Sequence, residues 1–268
     1  MGDSLCWIYH EGHEGCTKDT IKLCELCGIW FVCFIVNVCF NSYVRSALSS
    51  FEKILWLKTL INSDLYENFL DLVTQEKKHF YEVKILNPRK KEVVLLAIHA
   101  GTIEPGTEEL VTELAGKKFS AYLFLGKRKR NSFSLHLTSR NFDDPLAIKM
   151  VKSSALALSF HGWKEDWSYV CIGGSNQDLK QRCYDYLSSF SEVLWCEFLL
   201  PTPEFRFSAN EEDNIVNRND NGIMFELSTG FRKKLFGIKN GLPNVEERTD
   251  IFYLFVDILR DFIVGEIS

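Results

Sequence analysis

The stretch Glu92-Val-Val-Leu-Leu-Ala-Ile-His-Ala-Gly-Thr-Ile-Glu-Pro-Gly-Thr107 decides the fold of this chain. Residues 93–98 are apolar without alternation, which predicts a strand buried on both faces. His99 ends this strand, and Glu104 follows five residues later. Polar groups are costly to bury without a purpose, and open α/β sheets bind ligands beyond the carboxyl ends of their strands. We therefore interpret this strand end as part of a functional site.

The same construction occurs once more along the chain. Residues 155–160 form a second apolar run of the buried-strand type, and His161 follows it directly. A catalytic zinc site typically has three protein ligands, drawn from His, Asp and Glu, and an open position for water. His99, Glu104 and His161 supply such a set, so the sequence predicts a zinc site built from two strand ends.

A carboxylate suited to proton transfer lies in the last short strand, residues 222–228. Glu226 stands there among apolar neighbours, and an apolar environment favours the form of a carboxyl group that holds its proton. A hydrolase that activates water also needs a group to move the water's proton to the leaving group. Glu226 is therefore the candidate catalytic base.

Each of these residues also has a structural interpretation. A single histidine at a strand end is often a hydrogen-bonded structural residue. Glu104 lies before a helix start, where an acidic group stabilises the helix dipole. Glu226 would also fit an ion pair with a buried arginine such as Arg218 or Arg232. Spacing alone leaves both interpretations open, because a histidine and a glutamate five residues apart form a weak motif.

Composition narrows the class of protein. A chain of 268 residues can bury a full core in one or two domains. The net charge of −5 and the pI near 5.8 argue against a nucleic-acid partner. Nine cysteines, six of them within the first forty residues, form an odd and unpatterned set. Such a set favours reduced thiols and a reducing, cytoplasmic location.

The first sixty residues differ from the rest. Residues 26–44 contain no charged side chain and are long enough to cross a bilayer. We therefore expect residues 1–60 to be an N-terminal extension with a candidate membrane anchor at 26–44. A buried hairpin is the alternative interpretation. The location is accordingly cytoplasmic or membrane-anchored, and residues 61–268 are expected to form the functional domain.

Strands and helices alternate along that domain, which predicts an α/β fold with a mixed, mostly parallel sheet flanked by helices. A short strand carrying His136 is expected near residue 136, and Asp144 with Pro145 is expected to begin a helix. The remaining predictions are strands at 80–85, 119–125, 167–172 and 193–198 and helices at 63–73, 107–114, 176–190 and 245–267.

Five sequence blocks, in this order, resemble the poly-γ-glutamate hydrolase family of bacteria and their phages. They are HAGTIEPGTEEL (99–110), SLHLTSRNFDDPLAI (134–148), LSFHG (158–162), IGGSNQDL (172–179) and NIVNRNDNGIMFELSTGFR (214–232). The resemblance runs from about residue 64 to residue 240. Ala100 departs from it, because the family usually has glycine there; alanine should fit unless the backbone φ is positive.

The resemblance implies a zinc carboxypeptidase-like α/β fold and hydrolysis of amide bonds at γ-linked glutamate. It implies that His99, Glu104 and His161 bind zinc and that Glu226 is the general base. The implied partner is an anionic γ-glutamyl polymer or peptide.

The resemblance also implies substrate-binding residues. Asn217 and Arg218 match positions expected to hold a substrate carboxylate, a task for which arginine is suited. Arg140 and His136 are further candidates on the substrate side. Two alternatives to the γ-glutamyl hydrolase stay open: a catalytically silent relative acting as a binding or membrane-tethered module, and a zinc amidase or esterase with another acyl substrate.

Overall fold

The strand predicted from residues 93–98 lies in the interior of a seven-stranded sheet. The computed structural model describes residues 64–87, 92–201 and 207–268. The strands are β1 (Tyr81–Leu86), β2 (Val93–Gly101), β3 (Ser120–Gly126), β4 (Leu156–Trp163), β5 (Tyr169–Gly173), β6 (Glu197–Leu199) and β7 (Gly222–Ser228). Their order in the sheet is β1-β3-β2-β4-β7-β5-β6.

Helices connect and flank these strands. They are α1 (Phe69–Gln75), α2 (Thr107–Ala115), α3 (Pro145–Lys152), α4 (Gln177–Ser188), α5 (Ser191–Leu194), α6 (Thr229–Leu235) and α7 (Asp250–Ile267). A small hairpin, β8 (Ile238–Lys239) and β9 (Leu242–Pro243), lies between α6 and α7.

Four of the six strand pairs in the seven-stranded sheet are parallel. β2 pairs in parallel with β3 and β4, β4 with β7, and β5 with β6. The pairs β1–β3 and β5–β7 are antiparallel. The predicted mixed, mostly parallel sheet flanked by helices is therefore confirmed.

Two apolar clusters cover the two faces of the sheet. In β2, Leu95 and Ala97 pack into the first cluster, which includes residues of α2, α4, α6 and α7. Val94, Leu96 and Ile98 pack into the second cluster, with residues of α1 and α3. This two-sided burial explains why the strand lacks a polar face.

Side-chain caps set several helix starts. The Asp144 side chain accepts a hydrogen bond of 2.8 Å from the backbone N–H of Leu146, and Pro145 is the first residue of α3, as predicted. α7 begins at Asp250 rather than 245, because the side chain of Thr249 caps it.

Two of the predicted strands differ from the structure. Residues Ser132–Leu135 form a 3₁₀ helix, and His136 follows it in a loop. The hydroxyl of Ser134 donates to the carbonyl of Asn131, a local bond that competes with a strand ladder. The predicted strand at 193–198 is shorter, because Ser191–Leu194 is helical and the chain enters β6 only after Trp195, which has φ +51°.

The chain divides into two units, Met1–Ser63 and Asp64–Ser268. The predicted extension and its candidate anchor at 26–44 belong to the first unit and lie outside the described residues. They stay predictions. Within residues 64–87, 92–201 and 207–268, no helix is both long and apolar enough to span a bilayer.

Candidate metal centre

A β-bulge turns His99 towards the second cluster. Ala97 pairs with Leu123 of β3 and Ala100 with Leu125, so two residues of β2 oppose one residue of β3 between them. Ala97 and Ala100 therefore both face the first cluster, although they are three residues apart. His99 lies on the other face, where its Nε2 bonds the Leu137 carbonyl at 2.6 Å. Bulges of this kind commonly re-aim side chains at functional sites.

A tight turn brings Glu104 back to His99. Gly101 has φ +68°, and a Cβ atom there would lie 2.4 Å from the Gly126 carbonyl oxygen, so the position requires glycine. The backbone N–H of Glu104 then donates to the His99 carbonyl at 2.8 Å. Ala100 has no positive φ. Its replacement of the family's glycine is therefore accommodated.

The parallel strand β4 supplies His161 at the same edge of the sheet. Leu96 of β2 pairs with Ser159 of β4, so both strands run towards their histidines side by side. Gly162 follows His161, and a Cβ atom at Gly162 would lie 3.0 Å from the Cβ of Glu104. The small residue after this histidine therefore allows Glu104 to approach β4.

Three donor groups converge at this edge. His99 Nδ1 lies 3.0 Å from Glu104 Oε1 and 3.0 Å from His161 Nδ1. His161 Nδ1 lies 3.7 Å from Glu104 Oε2. The exposed fractions are 2% for each histidine and 8% for Glu104. The three residues predicted as metal ligands thus meet at one buried point.

Outer partners hold the three groups in this orientation. His99 Nε2 faces the Leu137 carbonyl, which only accepts, so Nε2 carries a proton and the neutral ring keeps its lone pair on Nδ1. His161 Nε2 bonds the hydroxyl of buried Ser159 at 2.8 Å. The backbone N–H of Gly162 donates to Glu104 Oε2 at 2.8 Å. Such outer bonds are typical of metal-binding histidines and carboxylates.

The donor set fits a divalent ion of the zinc type. Ligands at about 2.05 Å from a tetrahedral zinc would lie about 3.3 Å from one another, close to the observed 3.0, 3.0 and 3.7 Å. Two imidazole nitrogens and one carboxylate are also the ligand types of catalytic zinc sites. His99, Glu104 and His161 are therefore the residues that would hold a metal.

His136, predicted on the substrate side, also reaches this centre. One of its ligand atoms lies within 4.8 Å of those of His99 and Glu104. Its ring centroid is 4.0 Å from that of His99. Its Nδ1 lies 3.1 Å from a carboxylate oxygen of Asp64. His136 is thus a further donor at the centre, and Asp64 is a partner that sequence reasoning missed, since it was assigned only to a helix start.

The charges of the centre are strongly coupled. Burial alone would raise the pKa of Glu104, but the neighbouring His99, with His161 and His136, lowers it to about 2. Burial would lower the pKa of His99, but Glu104 and the Leu137 carbonyl raise it overall. Burial and the charge of His99 lower the pKa of His161 to about 3. The ionised carboxylate of Glu104 and the protonated form of His99 therefore stabilise each other.

Glu226 lies beside this group on the next strand. It pairs in register with His161 across β4 and β7. Its neighbours Phe225 and Leu227 pack into the first cluster, so Glu226 faces the same side of the sheet as the centre. It is 8% exposed. The predicted base is therefore one strand away from a predicted ligand, on the same face.

Buried Arg232 connects the segments that carry these residues. Its guanidinium donates to the carbonyls of Pro105 at 2.8 Å, Leu227 at 3.2 Å and Trp163 at 3.3 Å. Burial lowers its pKa, and the charges of Glu104 and Glu226 oppose that effect. The sequence offered Arg232 only as a partner of Glu226. The structure shows that it joins the turn after β2 to the ends of β4 and β7 through backbone carbonyls.

The predicted substrate residues Asn217 and Arg218 lie in the segment before β7. The Asn217 amide donates to the carbonyls of Ala209 and Glu211 at 2.6 and 2.8 Å, a bracing role. Arg218 precedes β7, whose first residue, Gly222, stands four residues before Glu226. The substrate roles of Asn217 and Arg218 stay predictions.

Arg140 lies in the loop that follows His136. It forms a two-bond ion pair with Asp213, with N–O distances of 2.9 and 3.0 Å. Both side chains are about half exposed, at 51% and 47%. An exposed pair of this kind exchanges partners readily, so the guanidinium is accessible to another carboxylate.

A mostly parallel α/β sheet with a His/Glu donor set at its strand ends defines a candidate metallohydrolase. The family model described as poly-gamma-glutamate hydrolase matches residues 66–258. The chain belongs to the poly-γ-glutamate hydrolase family. It is accordingly a hydrolase.

Relatives and solved structures agree with this assignment. UPF0714 protein YndL of Bacillus subtilis strain 168 is 32% identical over 77% of this chain and 81% of its own length. The SPbeta prophage-derived protein YoqZ of the same strain is also 32% identical, over 76% of this chain and 73% of its own. A zinc-free apo structure of YndL matches with a TM-score of 0.68 and 31% identity, covering 76% of this chain and 99% of that one. A bacteriophage poly-γ-glutamate hydrolase matches with the same TM-score and 28% identity, covering 76% and 98%.

Proposed function

We propose that this protein is a zinc-dependent hydrolase of γ-glutamyl amide bonds. The observation that carries the proposal is the convergence of His99 Nδ1, His161 Nδ1 and the Glu104 carboxylate within 3.0 to 3.7 Å at a buried strand edge. The zinc-free structure of its relative YndL supports zinc as the metal. The phage poly-γ-glutamate hydrolase of the same fold supports the γ-glutamyl linkage.

The roles of the residues follow from their positions. A bound zinc ion supplies Lewis acidity, which polarises a scissile carbonyl and makes water more acidic. Glu226, beside His161, takes a proton from the attacking water and passes it to the departing amine nitrogen. Arg232 keeps the segments of Glu104 and Glu226 together through its backbone bonds.

The basic residues of the predicted substrate side suit an anionic substrate. Arg140 can exchange the Asp213 carboxylate for one on the substrate, because their ion pair is exposed. The Nε–H of Arg218 is buried without a hydrogen-bond partner in the described part of the chain. We propose Arg140, Arg218, Asn217 and His136 as the substrate side, and a γ-glutamyl polymer or peptide as the partner.

The direct test is a substrate panel. Purified full-length protein is incubated with poly-γ-glutamate, a γ-glutamyl peptide, the matching α-glutamyl peptide and a simple ester, with and without a chelator. We expect cleavage of the γ-linked substrates, loss of cleavage with chelator, and recovery on adding zinc. Cleavage of the ester or the α-linked peptide alone would identify another acyl hydrolase. No cleavage of any substrate by zinc-loaded protein would contradict the proposal.

Zinc affinity should rise with pH, because zinc and a proton compete for His99 Nδ1. The pKa of His99 is raised above 6.5, so below that raised value zinc must displace this proton. Affinity should increase about tenfold per pH unit there and level off above it. Glu104 and His161, with pKa values of about 2 and about 3, are already deprotonated in this window.

The change of zinc affinity with pH is measured by competition with a chelator of known affinity. The range is about pH 5.5 to 8.5, around the ordinary histidine pKa. Calorimetry in buffers of different ionisation enthalpy measures the proton released. Release of about one proton is expected. A slope near zero would contradict the assignment of the proton to His99.

A further inference from the structure

Asp64 contacts the centre from outside the part of the chain that the family model matches, which begins at residue 66. One carboxylate oxygen lies 3.1 Å from His136 Nδ1, across 72 positions of sequence. The other accepts the backbone N–H of Thr138 at 2.7 Å and the Asn141 amide at 2.9 Å. Its side chain is 8% exposed. The carboxylate is therefore fixed in place by three separate donors.

The chemistry of this contact determines where the proton of His136 lies. An ionised carboxylate only accepts hydrogen bonds, so His136 Nδ1 must donate. A neutral imidazole that carries its proton on Nδ1 has its lone pair on Nε2. Asp64 thus leaves Nε2 as the acceptor nitrogen of this ring.

Two rings hold the imidazole plane. Phe133 stacks on His136 at 4.6 Å between centroids and 17° between planes. His99 lies at 4.0 Å and 30°. With its plane held by these rings and Nδ1 held by Asp64, the ring has little freedom to turn. A ring nitrogen of His136 lies within 4.8 Å of ligand atoms of His99 and Glu104.

We propose that Asp64 is a positioning residue that fixes the tautomer of His136, so that Nε2 presents its lone pair to the metal centre. Metal sites commonly orient a histidine through a carboxylate on its other nitrogen, and loss of such a partner typically costs about 10- to 100-fold in activity or affinity. The effect of Asp64 on the tautomer of His136 does not depend on the proposed function, whereas the expected loss of activity rests on it.

The test substitutes Asp64→Asn in the full-length chain. The asparagine carbonyl can still accept from Thr138 and Asn141, while its NH₂ group faces His136 Nδ1 and forces that nitrogen to accept. Long-range ¹⁵N–¹H NMR correlations of metal-free protein report the tautomer. We expect Nδ1–H in the wild type and Nε2–H in D64N, with kcat reduced about 10- to 100-fold.

Asn141→Leu is the matched control, because it removes another hydrogen bond of the same carboxylate and spares the bond to His136. It should keep the wild-type tautomer and kcat. A wild-type His136 with its proton on Nε2 would overturn the proposal without any variant. A switched tautomer in D64N with unchanged kcat would overturn the claim that Nε2 faces the centre. Should the wild type cleave no γ-glutamyl substrate, the proposed function fails while the NMR result still decides the role of Asp64.

Discussion

Replacing Glu226 by glutamine is expected to lower kcat about a thousandfold, within the usual contribution of a general acid–base group, while the protein keeps its zinc. Glutamine has nearly the same shape but cannot take a proton from water. The proposed zinc ligands lie on β2, its following turn and β4, so the substitution on β7 leaves them in place. Steady-state kinetics on a γ-glutamyl peptide, with metal analysis of the same sample, measures both quantities.

Glu197→Gln is a suitable control for that experiment, because Glu197 is an exposed carboxylate on β6 of the same sheet. It should keep full activity. A general acid–base group typically contributes at least about 100-fold to the rate. If E226Q retained more than about a tenth of wild-type kcat, Glu226 would therefore not be the base. Loss of zinc from E226Q would instead indicate that Glu226 supports the metal ligands.

Glu104→Ala should abolish both zinc binding and turnover. The substitution removes one of three donors and the hydrogen bonds that this carboxylate makes with His99 and Gly162. Loss of an outer partner typically costs about 10- to 100-fold in metal affinity, so loss of a ligand should cost more than about 100-fold. Activity should fall to the level of chelated wild-type protein. Metal content after dialysis and the zinc dissociation constant measure the effect.

The nearby Glu108→Ala serves as the control. Glu108 lies in the first turn of α2 and forms a partly exposed ion pair with Lys84 at 3.4 Å. Exposed pairs contribute little, so E108A should bind zinc normally. Wild-type zinc affinity in E104A would show that another donor set, such as one with His136, holds the ion.

Local patterns made the strands and the donor set predictable. Two apolar runs that each end in histidine identify two parallel strands, and parallel neighbours bring their carboxyl ends together. The position of Glu104 followed from a short turn after β2. These inferences needed only contacts close in sequence and one strand pairing, Leu96 with Ser159.

Contacts between residues that are far apart in the sequence could not be predicted from it. Asp64 is 72 positions from His136, and Arg232 is 127 positions from Pro105. The sequences around Asp64 and Arg232 are typical of a loop and a helix, so they do not indicate these distant partners. The strand expected at His136 was wrong because the bond from the Ser134 hydroxyl to the Asn131 carbonyl stabilises a 3₁₀ turn there.

The family resemblance and the structure gave different information about which residues bind the substrate. The resemblance singled out Asn217 and Arg218 together. In the structure the Asn217 amide braces the backbone of residues 209–211. Arg140, in contrast, forms an exposed ion pair with Asp213. Its accessibility would not have been apparent from the sequence blocks alone.

Because His99 must face the second cluster, the number of residues in β2 is as constrained as their chemical character. Exchanges among valine, leucine and isoleucine before His99 would preserve the direction of its side chain, whereas deletion of a single codon between Val93 and Ala97 would move the residues beyond it to the opposite face of the sheet. The imidazole would then point towards the helices α2 and α7. Descendants of this gene should therefore accumulate substitutions in the strand but not insertions or deletions.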